Sequence, residues 1–472
     1  MLEDFWSNLL IGAHVLGAAL ALRAAATAHT AQGAVAWAMS LVAAPYLALP
    51  LYALFGPPRL DRRNRERREA REQALALARA CGLPVAEPPD ARARRRWTPL
   101  ERLAPTRVLN GAEAQLLIDG RETFDAMFDA LDAARNHASV QFFIIRDDGL
   151  GQALKDKLVE RARAGVAVRL LYDNVGSRAL PRAWFRELAE AGVETRAFKL
   201  GRRLPRLTQL NYRNHRKVVA ADGRVAIIGG PNVGDEYLGL DTALGPWRDT
   251  AIRLTGAAAS AVSISFLEDW IWAGGDAFAI APEAGAEVGC GCPTLILPTG
   301  PADRHPSCTL TFCHLIAEAR RRLWIATPYF VPDLDVFTAL KLAALRGVDV
   351  RVLIPDRPDH WVVWLAGFAY AEEARRAGIA MWRYRPGFMH QKVMLIDDWA
   401  AGVGTANLDN RSLRLNFEIT ALVFDRGFAG EIEAMLEDDF DRAFLFDREA
   451  EASLGPVVRL LSPAARLLGP LL

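Results

Sequence analysis

Lysine is scarce in this chain. Of the 57 basic residues among its 472, only six are lysine. Arginine therefore occupies most positions at which either cation would serve, and a lysine indicates a position that requires a compact ammonium group. The six are Lys155, Lys157, Lys199, Lys217, Lys341 and Lys392.

Cysteine pairs and an excess of charge are also missing. The five cysteines are an odd number in a long chain, which argues against a disulfide framework, and we expect them to be reduced. The sequence has no pair of C-x-x-C motifs with zinc-site spacing. The formal net charge is +1, so the chain shows no overall electrostatic preference for nucleic acid. Its length is enough for about two or three folded domains.

The N-terminal region resembles a membrane anchor in composition. Residues 33–55 carry no charge over 23 positions, which is enough for a helix to span the ~30 Å hydrocarbon core of a bilayer. Pro45 and Pro50 are expected to kink this span. A second apolar run covers residues 5–22, and we therefore predict a hairpin of two transmembrane helices within residues 1–58. The alternatives are a cleaved signal peptide, which the acidic N-terminal residues disfavour, and a buried core helix.

An arginine-rich segment follows the hairpin. Residues 59–71 contain seven arginines and three acidic residues, which predicts a cytoplasmic position by the positive-inside rule. The basic linker that we assign to residues 59–105 carries 13 basic and 7 acidic residues. It can be a solvated helix of alternating charges, a segment that lies against anionic headgroups, or both.

Two stretches beyond the linker have the same order of patterns. In each, apolar strand patterns alternate with helical patterns. This alternation predicts an α/β fold class with two pseudo-repeated domains, each a mixed, mostly parallel sheet flanked by helices. We place the first domain at residues 106–286 and the second at residues 287–472.

A His-x-Lys motif occurs once in each stretch. In both copies an aspartate follows the histidine at offset +7, a glycine with a glycine or threonine follows at +14 and +15, and an asparagine at +17. A histidine and a lysine two positions apart on a strand point to the same face. The members are His215, Lys217, Asp222, Gly230 and Asn232 in the first copy and His390, Lys392, Asp397, Thr405 and Asn407 in the second.

Each copy offers the groups that phosphate chemistry needs. The histidine is a nucleophile or acid, the lysine is a fixed cation, and glycine backbone and asparagine amide groups donate hydrogen bonds to an anion. We therefore predict phosphate binding by Asn232, Asn407, Gly230 and Thr405. Two copies that face each other would place both histidines and both lysines around one phosphodiester.

A carboxylate follows each motif at a comparable distance. These residues are Asp249 and Glu418. A carboxylate behind a histidine fixes its tautomer and raises its basicity, so we predict that they orient the motif histidines. The alternative for Asp249 is a structural ion pair with Arg248 or another neighbour.

The duplicated pattern H-x-K-x4-D-x6-G-[GST]-x-N resembles that of the phospholipase D superfamily. Stretches such as GGPNVGDEYLG, PWRDT and GTANLDNRSLRLNFEI, together with the two N-terminal spans, resemble one branch of it, the bacterial cardiolipin synthases. The resemblance covers nearly the whole chain. The second motif departs from the commonest pattern because it reads MHQK, where a small residue often follows the histidine, but the reacting groups are retained.

This resemblance implies a transfer in two steps through a phosphatidyl-histidine, from one phosphatidylglycerol to the hydroxyl of another. It implies His215 as nucleophile and His390 as acid and base, with Asp222 and Asp397 bracing the motif and holding the lysines. It also implies no metal, no cofactor and no nucleic acid, with phosphatidylglycerol and membrane phospholipids as partners. The expected location is the bacterial inner membrane, with several spans and a cytoplasmic catalytic domain.

The resemblance leaves other activities open. Hydrolysis by a phospholipase D or a nuclease differs from transfer only in the group that resolves the intermediate. A transphosphatidylase could use phosphatidylethanolamine as donor. A non-catalytic membrane scaffold would be expected to lack one of the motif residues, and both motifs are intact.

Overall fold

The computed structural model describes residues 2–27, 31–56, 61–80, 82–198, 212–240, 244–280 and 291–472. The chain divides into two units, Met1–Arg65 with Lys199–Tyr212 and Glu66–Phe198 with Arg213–Leu472. Of the cysteines expected to be reduced, those at positions 292, 308 and 313 are free thiols, and those at positions 81 and 290 lie outside the described residues.

The first unit begins with three helices, which are α1 (Leu2–Thr27), α2 (Ala31–Ala43) and α3 (Pro45–Phe55). Within α1, the segment Trp6–Thr27 is long and apolar enough to cross a membrane, whereas α2 is a shorter apolar helix. The second apolar segment is interrupted before Pro45, because a residue that precedes proline is disfavoured in the helical conformation. The second of the two predicted spans is therefore a pair of short helices.

Gly17 allows α1 to approach the second apolar segment closely. A Cβ atom at this position would lie 2.2 Å from the carbonyl oxygen of Leu41 and 3.0 Å from the Cβ atom of Pro45. Small residues at such contacts are typical of helices that pack together inside a membrane. The apolar hairpin is thus formed by α1 against α2 and α3.

The first half of the second unit contains one seven-stranded sheet. Its order is β2-β9-β7-β6-β3-β4-β5, with parallel pairing in β3-β4-β5 and antiparallel pairing elsewhere. The elements are β1 (Leu109–Ala112), β2 (Ala114–Ile118), α6 (Asp119–Ala133), β3 (His137–Phe142), α7 (Gly149–Arg163), β4 (Ala167–Asp173), α8 (Arg182–Glu190), β5 (Glu194–Phe198), β6 (Val218–Ala221), β7 (Val225–Gly229), β8 (Trp247–Arg248), β9 (Thr250–Thr255) and α9 (Gly256–Trp272), with α4 (Asp61–Ala80) and α5 (Ala91–Leu103) before them.

The second half repeats this strand order. Its sheet runs β1-β10-β19-β17-β16-β11-β13-β14-β20, so β10 to β14 match β2 to β5 of the first half, with one added strand at each edge. The elements are β10 (Cys292–Thr299), α10 (Ser307–Glu318), β11 (Arg322–Ala326), β12 (Phe330–Val331), α11 (Leu334–Leu345), β13 (Asp349–Pro355), α12 (Trp361–Arg376), β14 (Ala380–Tyr384), β15 (Phe388–Met389), β16 (Val393–Ile396), β17 (Ala400–Gly404), β18 (Leu408–Asp409), β19 (Glu418–Val423), α13 (Arg426–Asp441), β20 (Ala443–Leu445), α14 (Arg448–Ala452) and α15 (Pro456–Arg466).

The predicted duplicated α/β fold with mixed sheets is therefore confirmed. Within each of the two large sheets, parallel pairing is confined to three strands, where helices provide the crossovers between successive strands. The other pairs in these sheets are antiparallel, so the sheets are mixed but not mostly parallel as we predict. Two short pairs outside them, β8 with β15 and β12 with β18, are also parallel. The motif strands pair antiparallel because β6-β7 and β16-β17 are hairpins. Strand β1 pairs with β10, so a segment that we assign to the first domain extends the sheet of the second.

The two halves share a hydrophobic core. Val218 and Ile252 of the first sheet belong to the same buried cluster as Leu395 and Val403 of the second, with Phe428 of α13 beside them. Burial of this much apolar surface fixes one half against the other. The ends of β6 and β16 that carry the motifs therefore meet at a defined seam.

The arginine-rich segment is not only a solvated linker. Arg67 of α4 is buried and bonds Glu268 of α9 at 2.8 Å. Asp90 caps the N-terminus of helix α5, because its carboxylate accepts a hydrogen bond from the backbone N–H of Ala93. The helix buries Trp97 and Leu100 in the core of the second half. The charge pattern did not reveal these buried contacts.

Candidate active site

Both motifs lie at the start of a central strand. Lys217 directly precedes β6 and Lys392 directly precedes β16, and each motif histidine stands two residues before its lysine. All four are buried, with exposed fractions between 0% and 8%. The side chains between them point the opposite way, as strand alternation requires. Arg216 pairs with the carboxylate of Asp269 at 2.8 Å.

The glutamine that departs from the usual pattern of the second motif has defined partners. Gln391 accepts a hydrogen bond from the hydroxyl of Thr250 at 2.8 Å and donates one to Asp439 at 2.7 Å. It is fully buried. Gln391 therefore connects the second motif to β9 of the first half and to α13.

The backbone of each motif pairs with the opposite half. The N–H of His215 donates to the carbonyl of Phe417 at 2.9 Å, and the N–H of His390 donates to the carbonyl of Arg248 at 2.8 Å. Each acceptor directly precedes one of the predicted orienting carboxylates, Glu418 and Asp249. The pairing therefore brings each histidine to the carboxylate of the other half.

The side chains complete this crossed arrangement. Nδ1 of His215 lies 2.9 Å from Oε2 of Glu418, and Nδ1 of His390 lies 2.7 Å from Oδ2 of Asp249. With Nδ1 held by a carboxylate, Nε2 is the ring nitrogen available for reaction. The sequence indicated carboxylates behind histidines but did not indicate that the partners are exchanged between the halves.

Gly230 and Thr405 contact the carboxylates. A Cβ atom at Gly230 would lie 1.9 Å from Oδ1 of Asp249, so no larger residue fits there. The hydroxyl of Thr405 donates to Oε2 of Glu418 at 2.6 Å. Their backbone N–H groups donate to carbonyls of β9 and β19. This geometry favours support of the carboxylates over the phosphate binding that we predict for these two residues.

The two asparagines remain suited to bind an anion. Nδ2 of Asn232 donates to the hydroxyl of Tyr237 at 2.8 Å, and Nδ2 of Asn407 donates to Asp409 at 3.1 Å. Each amide nitrogen carries two hydrogens, so one remains on each side chain for a substrate oxygen.

The motif aspartates lie outside this cluster. Asp222 accepts hydrogen bonds from the backbone N–H groups of residues 135–137, and Asp397 accepts from those of residues 320–322. They stand at the far ends of β6 and β16 with φ values of 53° and 50°. They therefore brace the sheet, and the expected hold on the lysines is wrong. Nζ of Lys217 instead donates to the carbonyl of His215 at 2.7 Å.

Burial governs the protonation of the cationic groups. It lowers the pKa of Lys217 to about 7 and that of Lys392 to about 8. It lowers the pKa of His215 to about 4 and that of His390 well below its usual range, with the nearby lysines acting in the same direction. Both histidines are therefore poised as neutral rings, and a bound phosphate would restore charge on the lysines.

The two carboxylates that contact the histidines, Asp249 and Glu418, have pKa values shifted in opposite directions. Burial raises the pKa of Asp249 to about 7, although Lys392 opposes this shift. Burial also acts on Glu418, but the adjacent His215 and Lys217 outweigh it, and the pKa of Glu418 lies below its usual value. The pair His390–Asp249 therefore retains a proton near neutral pH, whereas Glu418 is ionised beside His215.

Aromatic rings enclose the histidines. The ring of Phe143 lies 5.2 Å from that of His215, and the rings of Trp247 and Tyr237 lie 5.6 and 5.7 Å from that of His390. The sequence patterns did not single out these three residues, because an aromatic residue beside an apolar segment is equally typical of a hydrophobic core. Among the described residues, His, Cys, Asp and Glu form no group of three or more that could hold a metal ion.

Comparisons with known proteins agree with this arrangement. A family model described as "Cardiolipin synthase, PLD-like domain" matches residues 127–244 and 312–441. The chain is 47% identical to cardiolipin synthase A of Pseudomonas aeruginosa, covering 98% of this chain and 96% of that protein. It is 46% identical to cardiolipin synthase A of Pseudomonas putida, covering 99% and 98%. The crystal structure of phosphatidylserine synthase from Haemophilus influenzae has a similar fold, with a TM-score of 0.63, 15% identity and coverage of 81% and 100%.

Proposed function

This chain belongs to the cardiolipin synthase family of phospholipase D-like proteins, and we propose that it transfers a phosphatidyl group between two phosphatidylglycerol molecules. The products are cardiolipin and glycerol. The observation that carries the proposal is the pair of crossed histidine–carboxylate contacts, with a lysine beside each histidine. The enzyme is a phospholipid phosphatidyltransferase of the membrane.

In the first step, Nε2 of His215 attacks the phosphorus of one phosphatidylglycerol. A P–N bond forms as the P–O bond to glycerol breaks. The proton held by His390–Asp249 passes to the departing glycerol oxygen. The protonation asymmetry of the two pairs supports these roles, because the ionised Glu418 favours a nucleophilic His215.

In the second step, a hydroxyl of another phosphatidylglycerol attacks the phosphatidyl-histidine. The His390–Asp249 pair accepts the hydroxyl proton, the P–N bond breaks, and cardiolipin leaves. Lys217 and Lys392 balance the charge of the equatorial oxygens in both steps. One phosphodiester replaces another, so the reaction needs no energy source.

The acceptor decides between transfer and hydrolysis. The histidines are nearly inaccessible and lie beside aromatic side chains, which favours a lipid hydroxyl over bulk water as the acceptor.

The test of transfer against hydrolysis uses the purified full chain in detergent with phosphatidylglycerol alone. Cardiolipin with an equal amount of glycerol is the expected result. Phosphatidic acid as the main product would contradict the proposal, and an added phosphatidylethanolamine tests the other donor.

We also propose that the catalytic unit faces the cytoplasm of a bacterial cell, with the hairpin of α1 against α2 and α3 in the inner membrane. The arginine-rich segment after α3 supports this orientation. Protease added to intact spheroplasts should leave a C-terminal epitope tag uncut. Loss of the epitope tag from spheroplasts whose membrane has not been permeabilised would show the opposite orientation.

A further inference from the structure

We propose that an arginine-lined pocket at the far edge of the second sheet binds a phosphate group. The pocket has a volume of about 420 Å³ and lies between α5, the start of β11, the β16-β17 turn and the start of α13. It is lined by Arg92, Arg96, Arg320, Arg321, Asp397, Asp398, Trp399 and Arg426.

The pocket is separate from the active site. It opens at Asp397, whereas Lys392 stands at the other end of β16. Five residues of extended chain correspond to about 16 Å. A phosphate group bound beside Asp397 therefore cannot reach the reacting histidines.

Arg96 provides the strongest sign of a missing ligand. Only 8% of this residue is exposed, and its guanidinium lies 3.7 Å from the ring centre of Trp399. Its Nε lies 3.4 Å from a carboxylate oxygen of Glu318, but its Nη2 is buried and finds no acceptor among the described residues. Buried donors are nearly always satisfied, so an acceptor oxygen in this pocket would complete the site.

The charge balance of the pocket favours an anion. Five arginines line the pocket together with only two carboxylates, those of Asp397 and Asp398, and Glu318 adds a third beside Arg96. The carboxylate of Asp397 is occupied by backbone N–H groups, and that of Asp398 pairs with Arg321 at 2.9 Å. Positive charge is therefore left over on the pocket wall.

The shape of the pocket points to a phosphate rather than a nucleoside. A guanidinium group matches the oxygens of a phosphate, which accepts paired hydrogen bonds, and five arginines line this pocket. Arg96 lies over one face of the Trp399 indole, 3.7 Å from the ring centre, so that face is not available to stack on a base. The phosphate can belong to a lipid headgroup or to a free anion.

The first half offers a matched comparison. There Asp222 accepts hydrogen bonds from the backbone N–H groups of Arg135 and the two residues that follow it, as Asp397 does from residues 320–322. Only one of these three residues is arginine, whereas all three in the second half are. Arg135→Gln therefore removes an exposed arginine at the equivalent turn without changing the pocket.

Hydrogen exchange of the full chain in detergent tests the proposal, first with inorganic phosphate as the probe. We expect slower exchange in peptides covering residues 90–99, 318–324 and 396–400. The double variant Arg320→Gln/Arg321→Gln should need about tenfold more phosphate for the same protection. Arg135→Gln should behave as the parent protein does. Peptides around both motif histidines report any phosphate in the active site and should respond equally in all proteins.

A second arm uses nanodiscs of phosphatidylcholine with or without phosphatidic acid. Protection by inorganic phosphate identifies a free anion as sufficient, and protection only by phosphatidic acid identifies a lipid headgroup. Either result supports the pocket if the double variant loses it. No protection by either probe, or protection that the double variant retains, would overturn the proposal.

Discussion

The crossed carboxylates allow the two histidines to be assigned by a matched pair of substitutions. Glu418→Gln and Asp249→Asn each replace a carboxylate by an amide of nearly the same shape. The first changes the partner of His215, and the second changes the partner of His390. If His215 is the nucleophile and His390 the acid, the two variants should fail for different reasons.

The expected losses are large. A hydrogen bond to an ionised group contributes about 1.5–3 kcal/mol, and replacing it with a neutral partner forfeits part of that. In Glu418→Gln the amide can also donate to Nδ1 of His215 and move the ring proton to Nε2, which removes the lone pair that attacks phosphorus. In Asp249→Asn the amide cannot supply the proton that the His390–Asp249 pair passes to the leaving group. In serine proteases the corresponding change lowers kcat by about 10⁴-fold. We expect losses of about 10³- to 10⁴-fold in both variants.

The leaving group separates the two roles. The substrate phosphatidyl-p-nitrophenol releases p-nitrophenolate, a stable anion that needs no proton as it leaves. Its reaction therefore bypasses the general acid. With this substrate the burst of nitrophenol from Asp249→Asn should return to within about tenfold of the parent rate, while Glu418→Gln should stay slow. Stopped-flow absorbance measures both. Recovery of Glu418→Gln but not of Asp249→Asn would refute our assignment and exchange the roles of the histidines.

Further substitutions test other parts of the site. Lys217→Arg keeps the charge but should lose at least about 10²-fold in cardiolipin formation, because a planar guanidinium does not fit a fully buried ammonium site; full activity would contradict this. Gly230→Ala should lower the free energy of unfolding by about 1–3 kcal/mol and reduce turnover, because its Cβ meets Asp249, whereas Gly430→Ala has open space and serves as the control in thermal unfolding. Asp222→Asn should lower unfolding free energy by about 1–3 kcal/mol with kcat nearly unchanged at low temperature, since it only braces the backbone. Turnover should fall as pH rises through about 7, where the His390–Asp249 pair loses its proton, and a glycerol-release profile flat from pH 6 to 9 would contradict the acid role.

Several features could be predicted because they depend on local spacing. The offsets within the motifs placed each histidine and lysine on one face of a strand, and the repeat predicted two sheets of the same construction. Pro45 marked the interruption in the second apolar segment. These predictions rest on the period of a strand and the conformational limits of proline, which act over a few residues.

Other features failed because they depend on contacts between distant segments. The linker assignment missed the burial of Arg67 and Trp97, since a charge pattern does not show which face another helix covers. The spacing of the motif did not show that Gly230 and Thr405, for which we predict phosphate binding, lie beside the carboxylates of Asp249 and Glu418. The motif aspartates proved to be braces because a full strand separates them from the lysines.

The sequence by itself determined the reacting groups: two histidines, two lysines and the carboxylates behind them, in a chain that otherwise avoids lysine. The tertiary structure decided which carboxylate serves which histidine. That exchange follows from backbone pairing between Phe417 and His215 and between Arg248 and His390, each across the seam. The tertiary structure also decided how these groups ionise. Burial, rather than residue type, moves the pKa values of Lys217, Lys392 and Asp249 toward neutral pH.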